Sequence, residues 1–508
     1  MVRPLIRSPS RTIDAVVVAV AAVATHATAA AGGNIWLDHA HFEQGLALAP
    51  AGDWPALFTR GFAGTGFYRP LAALSFSIDA ALWHHPVCFH LVTLAWHAAA
   101  ALLLRIAALS LGLSRGAALV AAVLFAVHPV TSLVASATAF RSEAMAAVCV
   151  FGLVAAHLAR RPAWAALAVG ASALTKETAW LLAPLIVAAL ELVRPRLSRA
   201  PRAAALRKLL LAEFASFCAA TWLRVAFAPS FRARHLPLTL DEAIGTRLAA
   251  AGKSALALLV PLDRTICDAF PITSLGSGAA LLGALALLAV VALALRGGRV
   301  GVLFGLCCLP SLQLVPVMRW WSPHYLYLPL GFAAMLAARA VEPRLERPWR
   351  FAPILFAFLG GLSLKEGLRY ANDARLWTPE VAREPACREG HFYLGEVARN
   401  TGNFQVAGAH YERAAAPIPG YLSYSDEFAA LSNLGAVRFA EKRFAEAEDA
   451  WRAALSRASD GPEQRRIMHN LGVLAMALHK LGREPEALAV LERLGVRTEM
   501  QRSLQHAR

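Results

Sequence analysis

Through the first 370 or so positions, apolar residues come in runs of roughly 16 to 24, separated by short charged breaks. Runs of that length match the hydrocarbon thickness of a bilayer and predict transmembrane helices. About eleven are expected, over roughly 13–31, 88–109, 115–134, 142–159, 161–175, 178–194, 208–228, 277–296, 299–317, 325–341 and 351–367. A further stretch, 248–262, is apolar but short and interrupted by Lys253. It reads as an interfacial helix inside a long outer loop, 229–276.

From Arg388 the pattern changes to small-residue signals at a fixed period. Leu394, Gly395, Gly402, Ala407, Tyr411, Ala414 and Pro419 form one set. Leu434, Gly435, Ala447, Trp451 and Ala454 form the next, and Leu474, Ala475, Gly482, Ala487 and Leu491 the third. These are the offsets of tetratricopeptide helix pairs, in which small residues let two helices approach and an aromatic fills the gap. The period is about 40 rather than 34 residues, so each link between repeats carries an insertion. The expected fold is therefore all-α. A polytopic membrane domain (1–370, with outer loops 32–87 and 229–276 carrying interfacial helices) leads through a linker (371–387) to a solenoid of about three repeats (388–500).

Composition agrees with a membrane body. Hydrophobic residues make up 57%, charged residues only 17%, and mean hydropathy is +0.48. The net charge of +16 does not signal nucleic acid, because the arginines sit at alternate helix ends and no recognition motif accompanies them. Arg3, Arg7 and Arg11 place the N-terminus on the cytoplasmic side. Arg105 and Arg115, Arg160 and Arg161, the cluster from Arg194 to Lys208, Arg296 and Arg299, and Arg339 to Arg350 then mark the inner loops. An odd number of spans puts the repeats outside. High Ala and Arg content and compact loops suggest a bacterial inner membrane with the repeats in the periplasm. The seven cysteines show no C-x-x-C spacing, and most lie in apolar segments; Cys267 and Cys387 fall outside and could pair.

With that topology, polar residues hard to explain by packing gather on the outer side. Asp38, His39, His41, Glu43, Asp53 and Arg69 lie in the first loop, and His84, His85 and His90 near the start of the second span. His128, Arg141 and Glu143, then Lys176 and Glu177, then Arg319 and His324 lie in later turns. Asp38 is the best candidate for chemistry, since an acid there can face water and a lipid-borne substrate together. No H-x-x-x-H pair lies on one helix face and Asp38 has no second carboxylate at ligand distance in sequence, so no dedicated metal site is expected and a divalent metal is disfavoured.

Ordered short motifs run through this part of the chain: Trp36-Leu37-Asp38-His39, Tyr68-Arg69-Pro70-Leu71, Phe89-His90, Phe125-Ala126-Val127-His128-Pro129 leading to Arg141, Thr175-Lys176-Glu177, His324-Tyr325-Leu326-Tyr327-Leu328-Pro329, and Asn372 through Leu376-Trp377. In their order and spacing they resemble the transmembrane-and-tetratricopeptide-repeat branch of the GT-C glycosyltransferases, related to protein O-mannosyltransferases. The resemblance implies transfer of a sugar, mannose-like, from a polyprenyl-phosphate donor at the outer leaflet to a protein hydroxyl, with inversion. It implies Asp38 as general base. Arg69, Arg141 and Lys176 would meet the lipid phosphate, with His128, Tyr325 and Tyr327 at the phosphate or sugar. Acceptor or partner proteins would dock on the repeats. The chain departs from the family pattern at Leu37 and Leu133, where acids are usual, and at His324, where an arginine is usual. Those losses motivate an alternative: a membrane-anchored tetratricopeptide scaffold of the same descent whose catalysis has decayed.

Overall fold

The structure is a computed structural model that describes residues 9–83, 85–193, 203–228, 236, 238–262, 265–314, 318–342, 352–458 and 461–494. His84, the basic residues Arg3, Arg7, Arg194, Arg196, Arg199, Arg202, Arg344, Arg347 and Arg350, and positions 495–500 of the repeat segment lie outside them. The described residues are helical apart from short turns, loops and one two-residue ladder. Two compact units result, Met1–Ile266 with Ile272–Asn372, and Cys267–Pro271 with Asp373–Arg508.

In the first unit, each predicted apolar run coincides with a helix. They are α1 (Pro9–Ala24), α2 (Pro70–Leu82), α3 (Pro86–Ser110), α4 (Arg115–Val127), α5 (Ser132–Ser136), α6 (Arg141–Leu158), α7 (Pro162–Thr175), α8 (Glu177–Leu192) and α9 (Ala203–Phe227). Then follow α10 (Leu240–Leu259), α11 (Gly278–Arg296), α12 (Gly298–Cys308), α13 (Tyr327–Val341) and α14 (Ala352–Gly367); α2, α5 and α10 lie between the runs or divide them. Proline at the first position starts α2, α3 and α7, where its missing N–H costs nothing. Among the described residues, four helices are long and apolar enough to cross a membrane: α3, the segment Thr138–Leu158 that contains α6, α9 and α11. A fifth arises if α4 and the bent segment after it count as one span. The expected eleven therefore stand as helices, most of them shorter than a span because proline, glycine or a 3-10 turn closes the run. The outward faces of α9 and α11 are apolar, with Phe214, Trp222, Val225, Leu285, Leu288 and Leu295 exposed, which fits a lipid environment.

The segment 248–262 belongs to a longer helix than its apolar pattern suggested. α10 begins at Leu240 behind a capping box made by Thr239 and Glu242. It lies against α11 so closely that a Cβ on Gly283 would sit 1.6 Å from the Leu248 carbonyl oxygen. Small residues permit that approach, as they do between helices in membranes.

The break between α4 and α5 organises the interior. Pro129 cannot continue a helix, and the chain bends by 52° there. The carbonyls freed at the end of α4 need donors. His97 Nε2 donates to the Ala126 carbonyl at 3.1 Å and His26 Nε2 lies 3.3 Å from it, while Ser363 Oγ donates to Val127 at 2.8 Å. Because His97 donates from Nε2, its Nδ1 accepts from the Tyr327 hydroxyl at 2.7 Å.

The second unit opens with α15 (Asp373–Arg383), which occupies much of the expected 371–387 linker. Three helix pairs follow: α16 and α17 (Arg388–Asn400, Phe404–Ala415), α18 and α19 (Glu427–Ala440, Phe444–Leu455), and α20 and α21 (Gly461–Lys480, Glu484–Arg493). A strap of this unit that lies between α10 and α11 in sequence, β1 (Phe270–Pro271), pairs antiparallel with β2 (Tyr421–Leu422). The sequence period has a direct physical expression. A Cβ on Gly395 would meet the Tyr411 ring at 2.7 Å, and one on Gly435 would meet the Trp451 ring at 2.5 Å. In the third pair the corresponding positions are Ala475 and Leu491, both buried, so a smaller filler accompanies a larger residue opposite it.

Two predictions follow from this unit. Gly435→Ala should destabilise the repeats by about 1–3 kcal/mol through overpacking, and adding Trp451→Leu should recover part of that loss; thermal unfolding of the four chains of the cycle measures it. The second concerns His391 and His410, whose Nδ1 atoms lie 2.9 Å apart, so one ring must accept from the other. Burial, then His410 and Arg413, hold His391 down at about 4 against an ordinary 6.5. The unfolded chain therefore takes up the proton first as pH falls. The pair's contribution is complete above about pH 7 and is lost from about 6.5 toward 4. Hydrogen exchange of α16 and α17 should accelerate over that window in the full chain, and less so in His391→Phe.

Candidate functional site

Many of the polar positions singled out by the sequence lie in four turns of the first unit. The first is the loop after α1. Trp36 there adopts φ +52°, a left-handed conformation uncommon for a residue with a side chain, and His39–Glu43 forms a π turn. Between them Asp38 is buried. One carboxylate oxygen accepts from the Ala139 N–H at 2.8 Å, the other from Ile35 N–H at 3.4 Å. His39 and Asn34 both bond to Glu43, at 2.8 and 3.1 Å, and close the loop.

The second is the turn 138–143 that opens α6. Phe140 packs on Trp36 with centroids 4.9 Å apart, and on His324 at 4.9 Å. Glu143 pairs with Lys176 and lies 3.7 Å from His324 Nε2. The third is the turn between α7 and α8, where Glu177 binds Arg69 at 2.9 Å, Arg224 at 3.5 Å and the Tyr68 N–H at 3.2 Å. The fourth, before α13, places the Arg319 guanidinium 5.1 Å from the centre of the Trp36 ring and hydrogen-bonds His324 Nδ1 with Ser322 at 2.6 Å.

Positive and negative side chains are interleaved in this region, Lys176 with Glu143, and Arg69 and Arg224 with Glu177. Burial first, then Arg69 and Arg319, hold the His41 imidazole at about 3. Burial, then Lys176, Arg319 and Arg69, push His324 far below its ordinary value. Both rings are therefore neutral at pH 7, leaving the positive charge to Arg69, Lys176, Arg224 and Arg319. Burial pushes the Glu177 carboxyl up, but Arg69, Arg224 and Lys176 more than reverse it. Beside Arg69, the side chains of Arg60, Phe62 and Ala47 line a shallow crevice with no room for a water molecule. A narrow cavity of about 20 Å³, water-sized, is lined by Pro129, Leu133, Trp321, Pro323, Tyr370 and Glu366.

The remaining candidates have other partners. Arg141 has no exposed surface. It pairs with Asp79, donates to Thr93, Ser75 and the Phe89 carbonyl at 3.0, 3.0 and 2.7 Å, and covers the Phe76 ring. His128 accepts from the Val130 N–H and donates from Nε2 to the Leu258 carbonyl at 3.2 Å, capping the helix break. Tyr327 is wholly buried on Phe125 and bonded to His97, while Tyr325 donates its hydroxyl to the Arg319 carbonyl at 2.9 Å. The structure thus places Arg69, Lys176 and Arg319 around His324, with Asp38 on the neighbouring turn and Arg141 near enough to feel its charge, and sets His128 and Tyr327 to holding helices. Arg224 was missed, since it lies inside an apolar run where only its cost of burial marks it. Among the described residues, no group of three or more His, Cys, Asp or Glu side chains is arranged to hold a metal ion.

Residues 426–494, spanning α18 to α21, match the tetratricopeptide repeat family model. No curated protein and no solved structure matches the chain. The C-terminal part is thus a tetratricopeptide repeat, a scaffold whose stacked helices bind protein segments, and α16 with α17 repeats its packing outside the matched range.

The buried Arg141–Asp79 pair gives a test of the structural assignment. Asp79→Leu alone should cost about 3–5 kcal/mol by stranding the guanidinium, whereas Asp79→Leu with Arg141→Met should recover much of it. Detergent-solubilised yield and melting temperature report the difference.

Proposed function

We propose that this chain is an outer-leaflet glycosyltransferase that moves a mannose-like sugar from a polyprenyl-phosphate donor to a protein hydroxyl. The observation that carries the reading is the convergence of Arg69, Lys176 and Arg319 around neutral imidazoles beside the Asp38 loop. In this reading the acceptor O–H gives its proton to Asp38 as its oxygen attacks the anomeric carbon. The bond from that carbon to the donor phosphate breaks on the opposite face, and the departing phosphate takes up the positive charge of Lys176 and the arginines. An ionised carboxylate has about four lone-pair positions, so Asp38 can keep its backbone N–H bonds while accepting a further proton donor. The reading includes about eleven membrane crossings, a cytoplasmic N-terminus, and repeats that face the periplasm and present the acceptor.

A second reading is favoured by the complete burial of Asp38 and by Leu37 and Leu133: a membrane-anchored scaffold whose repeats recruit partners without catalysis.

Membranes incubated with labelled polyprenyl-phosphate sugars separate the two. Asp38→Asn keeps one acceptor for the Ala139 N–H and should lower transfer by about 10²–10⁴-fold, while Lys176→Met should chiefly weaken use of the donor. If Asp38→Asn transfers as well as wild type, and only deletion beyond Arg388 abolishes function, the scaffold reading stands instead.

A further inference from the structure

The strap between α10 and α11 carries a feature that neither the transfer chemistry nor the repeat packing uses. Cys267 and Cys387 are both buried in the second unit as reduced thiols, and each lies near enough to perturb the other. Each is held in place independently. The strap is fixed by the Phe270–Leu422 and Pro271–Tyr421 register, by Cys267 N–H donating to Glu380 at 3.2 Å, and by Tyr424 N–H donating to Asp268 at 2.8 Å. Cys387 sits at the start of α16, its N–H bonded to the Glu384 carbonyl at 3.0 Å. A Cβ on Gly390 would lie 3.2 Å from its sulfur, so glycine leaves the room that sulfur occupies.

We propose that Cys267 and Cys387 form a disulfide that clamps the strap to the repeat unit. The inference rests on the outer-side topology included in the proposed function, because such bonds persist in oxidising compartments, but not on the transfer chemistry. The oxidant is a disulfide-bearing protein or small molecule of that compartment. The thiolate of one cysteine attacks the oxidant disulfide and expels one thiolate. The second cysteine, as its thiolate, then attacks the mixed disulfide and expels the other. The two thiol protons go to the two expelled thiolates, and two electrons pass to the oxidant. Burial raises both thiols above their ordinary values, Cys387 far above. Neither is therefore a ready nucleophile once folded. The bond forms while the chain folds, before the strap is covered, and serves as a structural clamp rather than a reversible switch.

The test uses the full chain. Cells are quenched in acid, the protein is denatured and alkylated with N-ethylmaleimide, then reduced and alkylated with a second, isotopically distinct maleimide before peptide mass spectrometry. The second label should appear at Cys267 and Cys387 alone, while Cys88, Cys149, Cys218, Cys307 and Cys308 carry the first. In Cys267→Ser, Cys387 should switch to the first label, and the faster non-reducing gel mobility of the wild type should be lost. First-label modification of both Cys267 and Cys387 in the wild type overturns the proposal. An Asp38→Asn chain that lacks transfer but keeps the second label at both positions separates this result from the fate of the catalytic reading.

Discussion

A guanidinium with no exposed surface must find every partner inside the protein, and the way Arg141 does so fixes the geometry of the first unit. Its partners come from α2 (Ser75, Asp79 and the Phe76 ring) and from α3 (Phe89 carbonyl and Thr93). Leaving one of them unmade would strand a charge in an apolar interior, at a cost far above that of an ordinary packing defect. The start of α6 is therefore pinned to two neighbouring helices at once. From that pinned turn the Ala139 N–H reaches Asp38, Phe140 reaches Trp36 and His324, and Glu143 reaches Lys176. The candidate site is a consequence of where α6 begins.

The same requirement explains why the cations stay together. Arg69, Lys176, Arg224 and Arg319 repel one another, and at an effective dielectric near 20 two like charges about 4 Å apart cost about 4 kcal/mol. Glu143 and Glu177 offset this by pairing with Lys176, Arg69 and Arg224. The imidazoles of His41 and His324 do not add to the repulsion because they are neutral. An anionic ligand would share these cations with the two glutamates rather than find a bare charge. That keeps the site assembled when empty.

Much of this was legible in the sequence, for identifiable reasons. Apolar runs between charged breaks became helices because their composition leaves no other way to satisfy the backbone in an apolar setting. The 40-residue period was readable because Gly395 and Gly435 are contact points for Tyr411 and Trp451, so sequence and packing carry the same signal. Asp38, Arg69 and Lys176 stood out as candidates because charge is expensive in such a chain. What sequence could not supply was pairing. Arg141 looked like a phosphate ligand until Asp79 appeared beside it, and Tyr327 looked like a phosphate or sugar contact until His97 claimed its hydroxyl. His128 stood next to a proline, and its role as a cap follows from that position, yet the carbonyl it binds belongs to Leu258, 130 residues away. The strap 267–271 has no periodic signal at all, being a short extended piece whose partner strand lies in another part of the chain.

The Asp38 loop is where these constraints bear on the proposed chemistry. A left-handed Trp36 costs of the order of 1–3 kcal/mol and persists only where its surroundings over-determine it. Here the surroundings are Phe140 on one side and the Arg319 guanidinium over the ring, two members of the turns that assemble the cations. The backbone strain, the carboxylate and the positive charge are thus held by one set of contacts. Asp38 cannot swing toward a distant acceptor without giving up the Ala139 N–H and unpacking Trp36. In the proposed reaction a base fixed in this way does not search for its substrate, so the acceptor hydroxyl must be brought to it. A protein segment bound by a tetratricopeptide repeat is the kind of acceptor that reading calls for.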